Sequence, residues 1–412
     1  MTSPTKSSGF NLLEGLPPTP DGGVYLDNNA TTRVADEVIA AMMPFLVQHY
    51  GNPSSMHRFG GEAGQGIATS REQVMSLLGA SSPQEIVFTG GGSESDNLAI
   101  VGTLRAYPEK RHIVSTAVEH PAVLGLCREL ESRQGYEVTY LSVDREGMLD
   151  LDELRASIRP DTAIVSIMMA NNETGVIFDS RAIGEIVKDQ GSIFHVDAVQ
   201  APGKILLDMA GTECIDLLSI SGHKLHAPKG VGALYVRKGC KLRPLIVGGH
   251  QERGRRAGTE NVASIVGLGV ACELAATHLG DENTRVRALR DRLETSLLQN
   301  IPDSIRNGHA ERRLPNTSNV SFKYIEGEGI LLLLDRARIA ASSGSACTSG
   351  SLEPSHVLKA MGVPFTSAHG SIRFSLSRYN TDEEIDYVVA VLPRIVERLR
   401  AITPFSEKRS TF

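Results

Sequence analysis

Lys224 sits in the stretch SGHKLHAPKG (221–230), directly after the apolar run IDLLSIS (215–221). A lysine held at the apolar end of a strand can shed its proton and form a Schiff base with a carbonyl compound. Most lysines are instead solvated at the surface, and the glycines around this one shift that balance only modestly. Asp197 ends the run SIFHVD (192–197), one strand–helix–strand unit earlier, so the spacing predicts that Asp197 and Lys224 come from neighbouring strand ends. A carboxylate is costly to bury there without a partner. A protonated pyridine-type nitrogen would pair with it and be kept protonated by it; taken alone, Asp197 reads first as a cap for the next helix.

Two further motifs suit anions. In TGGGSESDNLAI (89–100) three glycines follow an apolar run and open a helix. They let the backbone approach a phosphate and leave N–H groups free for it, with Ser93 as a contact or as the helix N-cap. A plain glycine turn explains the same residues equally well. GGHQERGRRAGTENVAS (248–264) alternates glycine and arginine, the texture of an anion-binding or subunit-contact loop, or of a solvated basic loop. Together the four motifs fit the parts of a phosphorylated pyridine cofactor.

The remaining chemical feature is a thiol. Cys347 lies in ASSGSACTSGS (341–351), with no apolar neighbour larger than alanine. Free cysteine ordinarily hides in a core, and this composition cannot bury it, which points to an accessible thiol. Cys127 and Cys272 read as core residues, Cys214 as half-buried, Cys240 as exposed and His195 as a satisfied core histidine. His250 and His369 are weaker candidates for the site entrance.

The elements that must hold these groups follow from periodicity. EIVFTG (85–90), RHIVST (111–116), EVTYLS (137–142), TAIVSIMMA (162–170), SIFHVD, IDLLSIS and GVGALYV (230–236) read as strands. Amphipathic helices such as 122–134 and 180–191 lie between them, the latter with Ile183, Ile186 and Val187 on one face. The alternation predicts an α/β protein with a mostly parallel, seven-stranded sheet covered on both faces and ligands at the carboxyl ends of the strands. After residue 276, long charged helices (282–299, 381–402) frame short strands at NTSNVSFKY and GSIRFSLS, a smaller α+β pattern. The expected division is a leader over 1–23, a large cofactor-binding domain over 34–276, and a small domain from 24–33 and 277–412 that carries the cysteine loop.

Bulk properties exclude several classes. The 412 residues carry a formal charge of −6, so no nucleic-acid or anionic-membrane surface is indicated. No apolar run approaches the roughly 18 residues of a membrane span. Five widely spaced cysteines without metal-ligand spacing fit a reduced, cytoplasmic setting. The N-terminus has neither signal- nor transit-peptide character.

In order, VYLDNNATT, YGNPSSMHRFG, EHPAV, ANNETG, HVDAVQ, SGHKLHAPKG, GRRAGTENV, SSGSACTSGSLEPSH and IRFSLSRYNT resemble the cysteine desulfurases, over residues 24–405. These are fold-type I pyridoxal 5′-phosphate enzymes of the class V aminotransferase group. GGHQERGRRAGTEN with HKLHAPKG is most similar to the NifS type, which serves nitrogenase assembly. The resemblance implies that Lys224 holds the cofactor as a Schiff base, that Asp197 pairs with its ring nitrogen, and that Gln200 bonds its ring hydroxyl. His120 would stack on the ring and transfer protons. Gly92, Ser93, Ser221 and His223 would hold the phosphate, completed by Thr259 of a second subunit. Asn172 and Arg373 would bind the substrate carboxylate, with Asn29 nearby. Many relatives have threonine where Ser93 stands, which keeps the hydroxyl.

The implied reaction takes L-cysteine to L-alanine. Lys224 removes the Cα proton, and Cys347, as a thiolate with His120 as its candidate base, takes the sulfur as a persulfide. About five residues on each side of the thiol, at ~3.3–3.6 Å each, would permit a swing on the order of 10 Å, and serine and glycine would supply the freedom. Expected partners are L-cysteine, a second copy of the chain sharing the sites, and an iron–sulfur scaffold protein as acceptor. No side chains form a resting metal site, and the one metal role left open is transient iron–sulfur ligation by Cys347. The rivals are a selenocysteine lyase or aminotransferase of the same fold, a cofactor-binding regulator and a thiol redox protein. The last two lack a DNA-binding appendage and a resolving cysteine respectively.

Overall fold

The computed structural model describes residues 17–343 and 354–403. Expectations about the leader up to residue 16 and about Cys347 lie outside the described residues. The chain runs through β1 (Val24–Tyr25), α1 (Asp36–Val47), α2 (Arg58–Leu78), β2 (Ile86–Thr89), α3 (Gly92–Ala106), β3 (His112–Thr116), α4 (Pro121–Gln134), β4 (Glu137–Leu141), α5 (Leu151–Ser157), β5 (Thr162–Met168), α6 (Ser180–Asp189), β6 (Ile193–Asp197), β7 (Leu217–Ser221) and β8 (Gly232–Val236). It continues with α7 (Val262–Thr277), α8 (Leu279–Asp281), α9 (Arg287–Asn300), β9 (Ser304–Arg306), β10 (Thr317–Phe322), α10 (Gly327–Arg336), β11 (Ile339–Ala340), α11 (His356–Ala360), α12 (Phe365–Ala368), β12 (Ser371–Ser375) and α13 (Asp382–Ile402).

The seven apolar runs form one seven-stranded sheet in the order β2-β8-β7-β6-β5-β3-β4. Only β8 runs antiparallel to its neighbours β2 and β7. Because side chains alternate across a strand, β7 and β8 feed two cores at once. Leu217, Leu234 and Val236 pack with α3 and α4, whereas Leu218, Ala233 and Tyr235 join the core that holds Val74 of α2, Ile183 of α6 and Leu268 of α7. Burial on both faces is why these strands read as continuous apolar runs. One expectation fails between β6 and β7, where residues 198–216 form turns and no helix. The two strands are nevertheless parallel neighbours, with Asp197 opposite Ser219.

A third core lies apart from the sheet. It combines Val24 and Leu26 with apolar side chains of α9, α10 and α13 and of the antiparallel sheet β12-β10-β9. There, β1 pairs in parallel with β11. A capping box at Thr381 and Glu384 starts α13. Among the described residues no single helix is long and apolar enough to cross a membrane.

Cys127 and Cys272 are buried as expected, but Cys214 is buried rather than half-buried, and Cys240 is half-buried rather than exposed. His195 is a satisfied core histidine, with Nδ1 on Ser166 Oγ and Nε2 on Ser219 Oγ, both at 2.9 Å.

Candidate active site

A cavity of about 620 Å³ opens at the carboxyl ends of β5, β6 and β7. Strand β6 ends in Asp197, and β7 ends in Ser221 and passes into a 3₁₀ turn, Gly222–Lys224. Parallel neighbours thereby bring Asp197 and Lys224 to one wall. Lys224 Nζ donates to Asn29 O at 2.5 Å and Ala30 O at 2.6 Å. The segment 29–35 is fastened to this turn along its length. Thr32 N–H donates to His223 O, His226 N–H to Thr32 Oγ1 and Ala35 N–H to His226 O.

Asp197 is buried, and its Oδ1 accepts from Val199 N–H at 2.9 Å. Burial pushes its carboxyl up to about 6, opposed by the Val199 hydrogen bond and the Lys224 charge. Gln200 Nε2 donates to Asn29 O at 3.0 Å, while its buried Oε1 has no partner. An orphaned acceptor in a cavity wall is what a ring hydroxyl would satisfy.

His120 caps α4, its Nδ1 accepting from Ala122 N–H at 3.1 Å. Burial first, and then the charges of Lys224 and His356, bring its pKa down to about 4. The ring is therefore neutral near pH 7 and carries its proton on Nε2. In this tautomer Nε2 can give a proton but has no lone pair to take one, which alters the expected role of His120 as a base for Cys347. His223, whose Nδ1 lies 3.2 Å from Thr31 Oγ1, is also lowered to about 4 by burial and neighbouring positive charges.

At the other end of the cavity, α3 begins without a side-chain cap. Gly91, with φ 148°, is the N-cap, so Ser93 lies in the first turn and does not cap it. A Cβ at Gly92 would meet Val199 Cγ2 at 2.8 Å and Ser221 Cβ at 3.3 Å. The free N–H groups of the first helical turn, with the Ser93 and Ser221 hydroxyls beside them, are a donor set that fits a phosphate. Glu94 closes the outer side, accepting from Gly90 N–H at 2.9 Å and from Arg256 Nε at 2.9 Å.

Arg373, on β12, reaches in from the other sheet. Its Nη1 donates to Asn172 O at 3.1 Å and its Nη2 to Asp27 Oδ1 at 2.6 Å, and its buried Nε has no acceptor. Asn29 bridges the two sheets, with its Nδ2 on Thr317 Oγ1 at 2.8 Å and its carbonyl on Gln200 and Lys224.

The cavity thus gathers Asn29, Gly92, Ser93, His120, Asn172, Asp197, Gln200, Ser221, His223, Lys224 and Arg373. Thr259 is exposed and lies outside its lining, as do His250 and His369. The residue-level reading missed Asp27, Asp96 and Glu119. Asp96 and Glu119 are buried acids whose carboxyls burial pushes up, Glu119 to about 8, with the nearby Asp197 charge adding to the rise at Asp96. Their signal was a charged residue inside a stretch that the fold buries, visible only once the fold is known. Among the described residues no cluster of His, Cys, Asp or Glu could hold a metal ion.

The class-V aminotransferase family model matches residues 24–388. A cysteine desulfurase of Trichormus azollae is 63% identical over 382 residues, covering 93% of this chain and 95% of that protein. The cysteine desulfurase NifS of Azotobacter vinelandii is 56% identical, covering 93% and 94%. Among solved structures, a NifS-like protein aligns with a TM-score of 0.85 at 42% identity, over 92% of this chain and all of its own. A NifS-like protein from Rickettsia africae gives 0.81 at 32%, covering 91% and 99%. The cofactor of this group is pyridoxal 5′-phosphate, and the orphaned Gln200 acceptor, the buried Asp197 and the glycine cradle fit it. The chain belongs to the class-V aminotransferase family, in the branch that holds the cysteine desulfurases of the NifS type.

Proposed function

We propose that this protein is a cysteine desulfurase that converts L-cysteine to L-alanine and transfers the sulfur to Cys347. The observation that carries this reading is the gathering of Lys224, Asp197, His120 and Arg373 around one cavity, with the chain on one side of the Cys347 segment tied to Arg373 and on the other to the neighbours of His120 and Asn172. Ser342 exchanges backbone hydrogen bonds with Arg373. On the far side, His356 Nε2 donates to Glu119 O at 2.9 Å, and Ser355 Oγ donates to Glu173, next to Asn172.

Pyridoxal phosphate, when bound, supplies an electron sink that lets bonds at the substrate's Cα and Cβ break heterolytically. Lys224 is its covalent anchor and Asp197 the partner of its ring nitrogen. Gln200 meets its hydroxyl, and Gly92, Ser93, Ser221 and His223 meet its phosphate. Arg373 and Asn172 hold the substrate carboxylate, with Asn29 fixing both walls. The Lys224 amine takes the Cα proton, and the carbonyls of Asn29 and Ala30 hold the resulting ammonium. The Cys347 thiolate attacks the substrate sulfur, forming the S–S bond as the Cβ–S bond breaks. Cβ gains a proton from the Nε2–H of His120, which takes up the proton released by the substrate thiol, and Lys224 returns its proton to Cα. The products are alanine and a Cys347 persulfide, and no outside oxidant is needed.

The finer parts of the reading concern setting. The sulfur goes to an iron–sulfur scaffold protein, for nitrogenase maturation, as the NifS relatives suggest, and Cys347 is a transient cluster ligand at most. The protein works in the cytoplasm as a homodimer with Thr259 completing the partner's phosphate site. In support, α1 exposes an apolar stripe of Ile39, Met43, Leu46 and Val47. The domain division at residues 34 and 276, with 24–33 joined to the C-terminal unit, draws its support from the separate core around β10, β12 and α13.

Incubating the holoenzyme with L-cysteine and a reductant, and measuring alanine and sulfide together, tests the reading. Equal amounts of both, lost in Lys224→Ala and Cys347→Ala, are expected. A keto acid in place of alanine would make the protein an aminotransferase. Sulfide at the wild-type rate from Cys347→Ala would remove the persulfide step.

A further inference from the structure

Arg373 is engaged by the protein's own groups. Its Nη2 is on Asp27 Oδ1, its Nη1 is on Asn172 O, and its Nε is buried without an acceptor. The side chain of Arg373 is 3% exposed and that of Asp27 20%. The Asp27 backbone is fixed, because its carbonyl accepts from Ala30 N–H at 3.0 Å and the residue bridges to Ser375. Only the carboxylate is left with freedom, one face on the guanidinium and another towards water. Tyr25, the other titratable group here, has its pKa raised by burial and by the Asp27 charge, and so remains neutral.

We propose that Asp27 is the resting counter-ion of Arg373, a positioning residue that the carboxylate of the amino-acid substrate must displace. This rests on Arg373 being the carboxylate site. One buried guanidinium cannot hold two carboxylates at full strength, because their mutual repulsion is poorly screened there. The incoming carboxylate takes the unpaired Nε edge, and Asp27, the more exposed partner, turns to water. In the empty site Asp27 keeps a buried charge neutralised and aimed. In the filled site it lowers the affinity for every amino-acid carboxylate, product alanine included, and so favours product release.

The test is equilibrium binding to the holoenzyme, by calorimetry, of 3-mercaptopropionate, which has the thiol and carboxylate of the substrate but no amino group. Asp27→Asn keeps the shape and removes the charge. Its Kd for 3-mercaptopropionate and its KM for L-cysteine are expected to fall about threefold or more. Binding of 2-aminoethanethiol, which has no carboxylate, should stay unchanged, and Asp27→Glu should restore the wild-type values. Unchanged or weaker 3-mercaptopropionate binding in Asp27→Asn would overturn the proposal, and Asp27→Ser serves as a second variant with the same expectation. Arg373→Gln separates the two layers. If it binds 3-mercaptopropionate as wild type does, the carboxylate site has been misassigned. If it loses binding while Asp27→Asn is unchanged, only the role of Asp27 fails.

Discussion

Burial pushes His120, His223 and Asp197 in opposite directions on the pKa scale but towards the same outcome, neutrality. Asp197 alone stays mostly ionised at pH 7, because its carboxyl rises only to about 6. A protonated Asp197 cannot accept from a ring N–H⁺, so cofactor affinity should fall as pH drops through about 6. An absorbance titration of apoenzyme with pyridoxal phosphate between pH 5 and 8 checks this, and a flat profile would count against the pairing. His120 donates from Nε2 rather than accepting there. Asn in its place keeps a cap for Ala122 N–H but gives up the proton, so kcat should fall about 10²–10³-fold with little change in KM.

The elements decide which of these groups meet. All seven sheet strands were legible in the sequence: six are buried on both faces and so are mainly apolar, while the half-exposed edge strand β4 shows as the β-branched and aromatic run Val138–Leu141. Their parallel order then put Asp197, Ser221 and Lys224 at one edge. The reversal of β8 and the helix-free link from β6 to β7 were not legible, since neither leaves a periodic signal. The Asn29 bridge was equally hidden, because its partners Thr317 and Ser375 lie hundreds of positions away and polar residues of that kind usually face solvent. The cradle at the start of α3 offers a local test. Gly92→Ala puts a methyl group against Val199 and Ser221, so the cofactor should dissociate at least tenfold faster, by about 1.4 kcal/mol or more in affinity, while the fold persists by circular dichroism.

At the scale of the whole molecule, the sheet stores unpaired acid beneath the site. Glu119 Oε1 accepts from Thr116 Oγ1 at 2.7 Å and Met168 N–H at 3.1 Å, while its Oε2 is buried with no partner. Its carboxyl is raised from 4.5 to about 8, chiefly by burial, with Asp197 adding to the rise. A carboxyl with a raised folded pKa contributes stability that is full below the unfolded value and lost as pH climbs through the folded one. The apoprotein's thermal midpoint should therefore decline between about pH 4.5 and 8, and Glu119→Gln should flatten that decline by at least about 1 kcal/mol. The same fold brings the chain on either side of Cys347 to Arg373 and Glu119, and the central claim is that sulfur lands on that cysteine. The direct measurement is mass spectrometry of the Cys347 peptide after a single turnover with L-cysteine and no reductant. Cys347 should carry the mass of one added sulfur atom, matched by one alanine released; alanine formed while Cys347 stays unmodified, or sulfur found on another cysteine, would contradict it.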